Sequence, residues 1–279
     1  MAQAYSNAVE TARTYYNSDD ADNFYFHVWG GEDIHVGLYE ADDEAIAIAS
    51  RRTVEKMADR LPPLNASSHV LDIGSGYGGA ARYLAKRFGC QVTALNLAEK
   101  ENQRNRQMTQ EAGLADKITV IDGSFEDIPL DTSSVDVVWS QDAILHSGRR
   151  DQVVQEVGRV LKPGGQFLFT DILESGGASR EDLEPVLQRI HLESLASQTF
   201  YDATCQTAGL NKIEFVEMTS QLVRHYTRVA EVLIDKRDDL QGKCSADYMD
   251  RMLKGLQSWV TAGEAGSIQW GILHYKKTA

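Results

Sequence analysis

Basic charge is in short supply in this sequence. Its 28 lysines and arginines face 41 aspartates and glutamates, for a formal net charge of −13 over 279 residues. A nucleic-acid binder needs a basic face to displace counterions from phosphates, so no nucleic-acid partner is expected. An anionic membrane surface would also repel the chain, so no membrane partner is expected either. High acidity suits a salty cytoplasm and an ordinary acidic protein equally. Cysteine is scarce: Cys90, Cys205 and Cys244 lie far apart and form no C-x-x-C. They mark neither a disulfide framework nor a zinc site, and no metal is expected. No apolar run approaches the roughly 18 residues of a membrane helix. The stretch Met1–Asn7 shows no basic segment followed by an apolar run, so no secretory signal is visible and a reducing cytoplasm is the expected location. What remains is 42% apolar and 25% charged, an ordinary composition with enough chain for one large domain or one domain plus a cap.

One stretch organises the rest: His69-Val-Leu-Asp72-Ile-Gly74-Ser75-Gly76-Tyr-Gly78-Gly79-Ala-Ala-Arg82-Tyr-Leu84. Val70 to Ile73 reads as a short buried strand. Gly79 to Phe88 reads as a helix, with Leu84 and Phe88 on one face. Strand, glycine turn and helix start make a nucleotide site, because the backbone approaches the ligand closely and the helix offers free N–H groups. The glycines alone satisfy G-x-G-x-x-G, which dinucleotide binders share. Asp72 discriminates: its charge would repel a pyrophosphate and attract a ligand bearing an ammonium and a sulfonium. The stretch resembles motif I of class I methyltransferases that use S-adenosylmethionine (SAM).

From His69 onward, expected strands alternate with helices, as in a Rossmann-like α/β fold: a doubly wound, mainly parallel seven-stranded sheet with helices on both faces. The strands are expected at Val70–Ile73, Gln91–Leu95, Ile118–Ile121, Val135–Trp139, Gln166–Leu173, Ile213–Met218 and Ser267–Tyr275. Two helices, about Thr219–Leu240 and Ser245–Ala262, interrupt the pattern near the open edge of the sheet and read as a helical cap. The methyltransferase domain is expected over 63–279, with that insertion at about 219–262. Residues 1–62 read as an N-terminal arm over the active site. It holds a helix from Ala4 to Tyr16, a solvated turn at Asn17–Asn23, the aromatic run Phe24–Trp29, and a helix capped by Asp42 or Asp43 that stops before Pro62-Pro63.

The second strand ends at Asn96-Leu97, where such folds usually present an acid to ribose hydroxyls; an amide can still bond a hydroxyl. Gly123-Ser124-Phe125 resembles the loop that frames adenine, with Phe125 available to stack. Gln141 opens the loop at the expected mouth of the transfer site. Glu156-Val-Gly-Arg159-Val-Leu-Lys162-Pro-Gly-Gly165 resembles the methyltransferase family's E-x-x-R-V-L-K-P-G-G and reads as structural. If Asp142 to His146 makes one helical turn, the two residues sit i, i+4 and hydrogen-bond, which fixes the imidazole tautomer.

The segment Asp142–Ser147 resembles small-amine N-methyltransferases, including the phosphoethanolamine group. There a histidine at this position works with an N-terminal tyrosine, matched here by Tyr16 or Tyr25. Asp19–Phe26, Trp29–His35, Ser140–Ser147 and His225–Val229 together resemble the sarcosine/dimethylglycine N-methyltransferases across nearly the full chain. That resemblance implies SAM as methyl donor, S-adenosylhomocysteine as product, and sarcosine and dimethylglycine as small amine substrates on the way to glycine betaine. A quaternary ammonium product calls for aromatic faces, for which Tyr16, Tyr25, Trp29, Tyr39 and Tyr201 are candidates. A substrate carboxylate calls for a basic partner, and Arg189 and His191 fall where the phosphoethanolamine enzymes hold phosphate. Rival readings are a phosphoethanolamine, glycine or other small-molecule methyltransferase, and a SAM-binding sensor or scaffold without transfer.

Overall fold

The computed structural model describes residues 7–190 and 192–278. Strands β1 (His69–Ile73), β2 (Gln91–Asn96), β3 (Ile118–Asp122), β4 (Val135–Gln141) and β5 (Leu161–Glu174) pair in parallel in the order β3-β2-β1-β4-β5. Past β5 the path continues to β8 (Ile268–Lys277) and then β7 (Leu210–Glu217), with β8 antiparallel to both neighbours. A two-residue strand, β6 (Ala196–Ser197), adds to the end of β5. This is the expected mainly parallel seven-stranded sheet with one small addition. Val70 to Ile73 are all buried because a parallel sheet is covered on both faces.

Two apolar cores lie on the sheet. One gathers Leu84, Val92, Val137 and Trp139 under the helices α3 (Ile46–Ala58) and α4 (Gly79–Phe88). The other gathers Val153, Val157, Phe167, Phe169 and Tyr201 under α6 (Arg150–Val160) and α8 (Gln198–Thr207). A third core stands beyond the strands' C-terminal ends. There Phe24, Trp29 and Val36 meet Leu187 of α7 (Arg180–Ile190), Leu222 and Tyr226 of α9 (Thr219–Asp235), and Trp259 of α10 (Ala246–Glu264). The N-terminal segment and the inserted helices therefore form one roof.

Local differences from the expectations have local causes. The turn expected at Asn17–Asn23 is largely a helix, α2 (Asp19–Phe24), following α1 (Asn7–Tyr16). The Ser18 hydroxyl accepts the Ala21 N–H, and three aspartates favour the helix N-terminus. A single π-helical turn, Tyr25–Trp29, continues it. Helix α3 begins at Ile46 without a side-chain cap, so neither Asp42 nor Asp43 serves. The Lys162-Pro-Gly-Gly break lies inside β5, where the register against β4 shifts between Val135 and Val137. α5 (Glu99–Glu111) packs on β3 and β2 although its sequence has no apolar stripe.

Candidate active site

The glycine turn is held in shape by what presses on it. Gly74, Gly76 and Gly78 have positive φ. A Cβ at Gly74 would lie 2.3 Å from the Ala143 methyl group, and one at Gly79 would lie 2.0 Å from Asp33 Oδ1. The turn is therefore sandwiched between the loop after β4 and a strap, residues 30–36. Arg51 ties the strap down by pairing with Glu32 at 3.0 Å and Asp33 at 2.9 Å, and Arg82 reaches Glu32 at 3.0 Å.

Turn and strap border a cleft of about 310 Å³, open to solvent and lined by Asp33, Ile34, His35, Asp72, Gly74, Ser75, Gly76 and Gln141. Five buried atoms lining it have no hydrogen-bond partner among the described residues: Asp33 Oδ1, His35 Nε2, Asp72 Oδ2, Ser75 Oγ and Gln141 Nε2. Buried polar atoms are rarely left unmatched in a folded protein, and such a cluster fits a polar ligand. Burial pushes the Asp72 carboxyl up to about 7; His35 pulls it down and Asp33 pushes it further up. An ammonium would relieve that strain, and a pyrophosphate would add to it. The amino-acid end of SAM, which carries an ammonium and a carboxylate beside the sulfonium, matches these donors and acceptors. Gln141 faces the cavity with its amide nitrogen because Trp139 Nε1 donates to Gln141 Oε1 at 3.0 Å.

At the end of β2 the Asn96 amide donates to Glu101 Oε2 at 2.8 Å. Glu101 comes from α5, is buried, and is pushed up to about 7 by burial while the Asn96 amide pulls it down. The next helix thus brings a carboxylate against the strand end, where the strand itself has an amide. Leu97 is half-buried beside it. Ser124 accepts the Glu126 N–H at 3.1 Å, and the half-buried Phe125 ring comes within 3.7 Å of the Cβ position of Gly74.

A second cavity of about 740 Å³ opens beside the first, and Ile34 and His35 line both. Its walls carry Tyr15 and Tyr16 from α1, Tyr25 and Trp29 from the π turn, Tyr226 from α9 and Trp259 from α10. The Tyr16 hydroxyl and His146 Nε2 are hydrogen-bonded at 3.0 Å. Tyr25 packs on Tyr16, with ring centroids 5.6 Å apart. Tyr226 and Trp259 stack at 5.4 Å.

Some expected placements need correction. Asp142 does not hydrogen-bond His146. It adopts a left-handed φ of 51°, and only a 3-10 turn, Ile144–His146, follows it. Its carboxylate is turned away: Oδ2 accepts the Val36 N–H and Oδ1 accepts the Trp270 indole N–H, each at 2.8 Å. Asp142 therefore joins the strap and β8 to the loop that carries His146. Tyr201 does not line the acceptor cavity. It is fully buried in the core under α8 and donates to Asp171 Oδ2 at 2.5 Å. Tyr39 is also elsewhere, bonded to His225 Nδ1 at 2.9 Å. Arg189 falls in the last turn of α7, and its side chain, like all of His191, lies outside the described residues.

Asp33, His35, Glu101, Tyr226 and Trp259 were not singled out from sequence. Two glycines with φ of 126° and 79°, Gly30 and Gly31, directly precede Glu32-Asp33 and were the available sign of a strap. The sign for Glu101 was a helix whose one apolar residue is Met108 and that must nonetheless lie on a sheet.

A family model described as a methyltransferase domain matches residues 71–169. The sarcosine/dimethylglycine N-methyltransferase of Halorhodospira halochloris is 50% identical over 99% of this chain and 100% of its own length. The glycine/sarcosine/dimethylglycine N-methyltransferase of Actinopolyspora halophila is 54% identical over 97% of this chain; the chain spans about half, 48%, of that longer relative. A crystal structure of a candidate sarcosine dimethylglycine methyltransferase from Galdieria sulphuraria superposes with a TM-score of 0.90 at 42% identity, covering 95% of this chain and 99% of that one. Near-full-length identity of this size, over a fold whose donor cavity fits SAM, places the chain in the sarcosine/dimethylglycine N-methyltransferase family of SAM-dependent enzymes.

Proposed function

We propose that the chain methylates sarcosine and dimethylglycine at nitrogen, ending in glycine betaine, in the cytoplasm. The observation that carries this reading is the aromatic acceptor cavity with the Tyr16–His146 pair in its wall, next to a cavity with two carboxylates and an imidazole nitrogen that has no hydrogen bond among the described residues. SAM, when bound, supplies an electrophilic methyl group, and S-adenosylhomocysteine is left. The residues of this chain do the rest. Asp72, Asp33, Ser75, His35 and Gln141 hold the amino-acid end of the donor. Asn96 and Glu101 take the ribose hydroxyls, and Leu97, Ser124 and Phe125 frame the adenine.

Sarcosine and dimethylglycine are mostly protonated at neutral pH, so the site must present the neutral amine. The amine proton passes to the Tyr16 oxygen as the Tyr16 proton moves to His146 Nε2. Acid–base help of this kind is worth about 10²–10⁴-fold, and positioning up to about 7–11 kcal/mol. Tyr25, Trp29, Tyr226 and Trp259 offer ring faces to the methylated ammonium, each worth about 0.5–2 kcal/mol. By the resemblance alone, Arg189 and His191 are assigned the acceptor carboxylate.

The test is methyl transfer from SAM to glycine, sarcosine, dimethylglycine and phosphoethanolamine in one panel, with products resolved by mass. Transfer to sarcosine and dimethylglycine that ends in betaine supports the reading. SAM binding with no transfer to either amine removes it and leaves the donor site standing.

A further inference from the structure

Tyr201 and Asp171 lie outside both cavities, yet they form a buried pair of one phenol and one carboxylate at 2.5 Å. The other carboxylate oxygen of Asp171 accepts the Leu145 N–H at 3.2 Å. The Leu145 carbonyl, on the opposite side of the same residue, accepts Arg150 Nη2–H at 2.7 Å. Arg150 also donates to the Ser194 carbonyl at 2.6 Å, which fastens this turn to the segment after α7. Both backbone groups of Leu145 are thus held by charged side chains from β5 and α6. Leu145 is the residue before His146, and its own side chain lines the acceptor cavity. The turn itself is one 3-10 turn, with the His146 N–H bonded to the Ala143 carbonyl and the Ser147 N–H to the Ile144 carbonyl, and its start is anchored by the Asp142 carboxylate.

A fully buried carboxylate is expensive to keep. Burial pushes Asp171 up to about 7, with Tyr201 and Arg150 pulling it down and Asp142 pushing it up. An apolar pair of similar shape would fill the same space at lower cost, but it would leave the Leu145 N–H unbonded.

We propose that Tyr201, Asp171 and Arg150 are positioning residues that fix the backbone of Leu145 and so set His146 at hydrogen-bond distance from Tyr16. They touch neither acceptor nor donor, and they act through the turn. The inference rests on the role given to the Tyr16–His146 pair above. A displacement of about 1 Å in a reacting group costs about a hundredfold in rate, so a small slip of this turn is felt.

The test compares Tyr201→Phe, Arg150→Met and Arg150→Lys in the full-length chain. Tyr201→Phe removes one oxygen and keeps the ring. It is expected to lower kcat about tenfold to a hundredfold while the KM for SAM stays within about twofold. Arg150→Met, at a half-buried position, is expected to act in the same direction, and Arg150→Lys to restore most of the loss. The ¹⁵N resonance of His146 Nε2 reports the Tyr16 bond directly and is expected to move in Tyr201→Phe and Arg150→Met. Variants that lose melting temperature but keep kcat and the His146 resonance would reduce the three residues to packing and overturn the proposal. If the unaltered protein methylates no amine in the panel, the catalytic reading fails, and the resonance still decides whether these residues set the turn.

Discussion

Asp72 has a carboxylate oxygen with no hydrogen-bond partner among the described residues, and its raised pKa makes a pH argument possible. An ordinary aspartate titrates near 3.8; this one is pushed up to about 7. Between those values the native protein keeps a proton that the unfolded chain has lost. Its contribution is therefore most favourable at low pH and falls as pH rises through that window, by at most about 4 kcal/mol. Asp72→Asn removes this dependence. Without SAM, the melting temperature of the variant should gain on that of the parent as pH rises from about 5 to about 8. With SAM the order reverses, because a charge-assisted contact worth about 1.5–3 kcal/mol is gone; calorimetric titration should show affinity lowered about tenfold to a hundredfold. Tyr16 gives a second prediction at this scale. Tyr16→Phe should lower kcat about 10²–10⁴-fold, most steeply near neutral pH, and Tyr25→Phe much less. Combined with His146→Ala, Tyr16→Phe should cost little more than either change alone, because the two act as one unit.

The same residues show how far sequence reading reached. Asp72 was legible because strand, acid and glycines are neighbours in the chain. The resemblance left Tyr16 and Tyr25 both open, and the hydrogen bond between Tyr16 and His146, across 130 positions, is visible only in the structure. Tyr201 was misplaced because an aromatic residue on an amphipathic helix does not say which face of the sheet the helix covers. Asp142 was misread because i, i+4 spacing presumes an α-helical turn, and this residue sits in the left-handed region.

At the scale of elements, the strap against α4 is the contact most open to test. A methyl group at Gly79 would meet Asp33 Oδ1 at 2.0 Å and the Glu32 carbonyl at 2.7 Å. Overpacking of this kind costs about 1–3 kcal/mol. Here the strap gives way more readily than β1 or α4, which belong to the sheet core. Gly79→Ala should therefore retain the parent's far-ultraviolet circular dichroism and lose SAM affinity. Stopped-flow binding should show the loss in the off-rate. The strap was hard to foresee because it has no periodic pattern and its four paired charges, Glu32, Asp33, Arg51 and Arg82, come from three separate segments. The strands from β1 to β5 were easier, since short segments rich in Val, Ile, Leu and Phe, bounded by turns and alternating with helical patterns, point to a parallel sheet.

At the scale of the whole molecule, residues 7–62 are more than an arm laid over a finished domain. Phe24, Trp29 and Val36 share one apolar core with Leu222, Trp259 and Trp270. Residues 63–279 made alone would expose that face of α9 and α10. The shortened chain should sediment as aggregates and should not show the parent's cooperative thermal transition. The alternation of strands and helices announced the fold, but the sharing of this core could not be read from patterns, because each contributing segment reads as an ordinary amphipathic stretch.

The position of β8 has a consequence for how the molecule is made. β8 lies between β5 and β7 and not at an edge, and its Trp270 holds the Asp142 that begins the His146 loop. It is also the last of these elements to leave the ribosome. Until it arrives, β7 has no partner strand, the far side of β5 is open from Gln166 to Glu174, and the loop lacks one of its anchors. A nascent chain therefore has its donor half early and its acceptor half only at the end. Chaperones that shield open strand edges would be engaged during that interval, and affinity for SAM should appear on stalled chains before any capacity to transfer its methyl group.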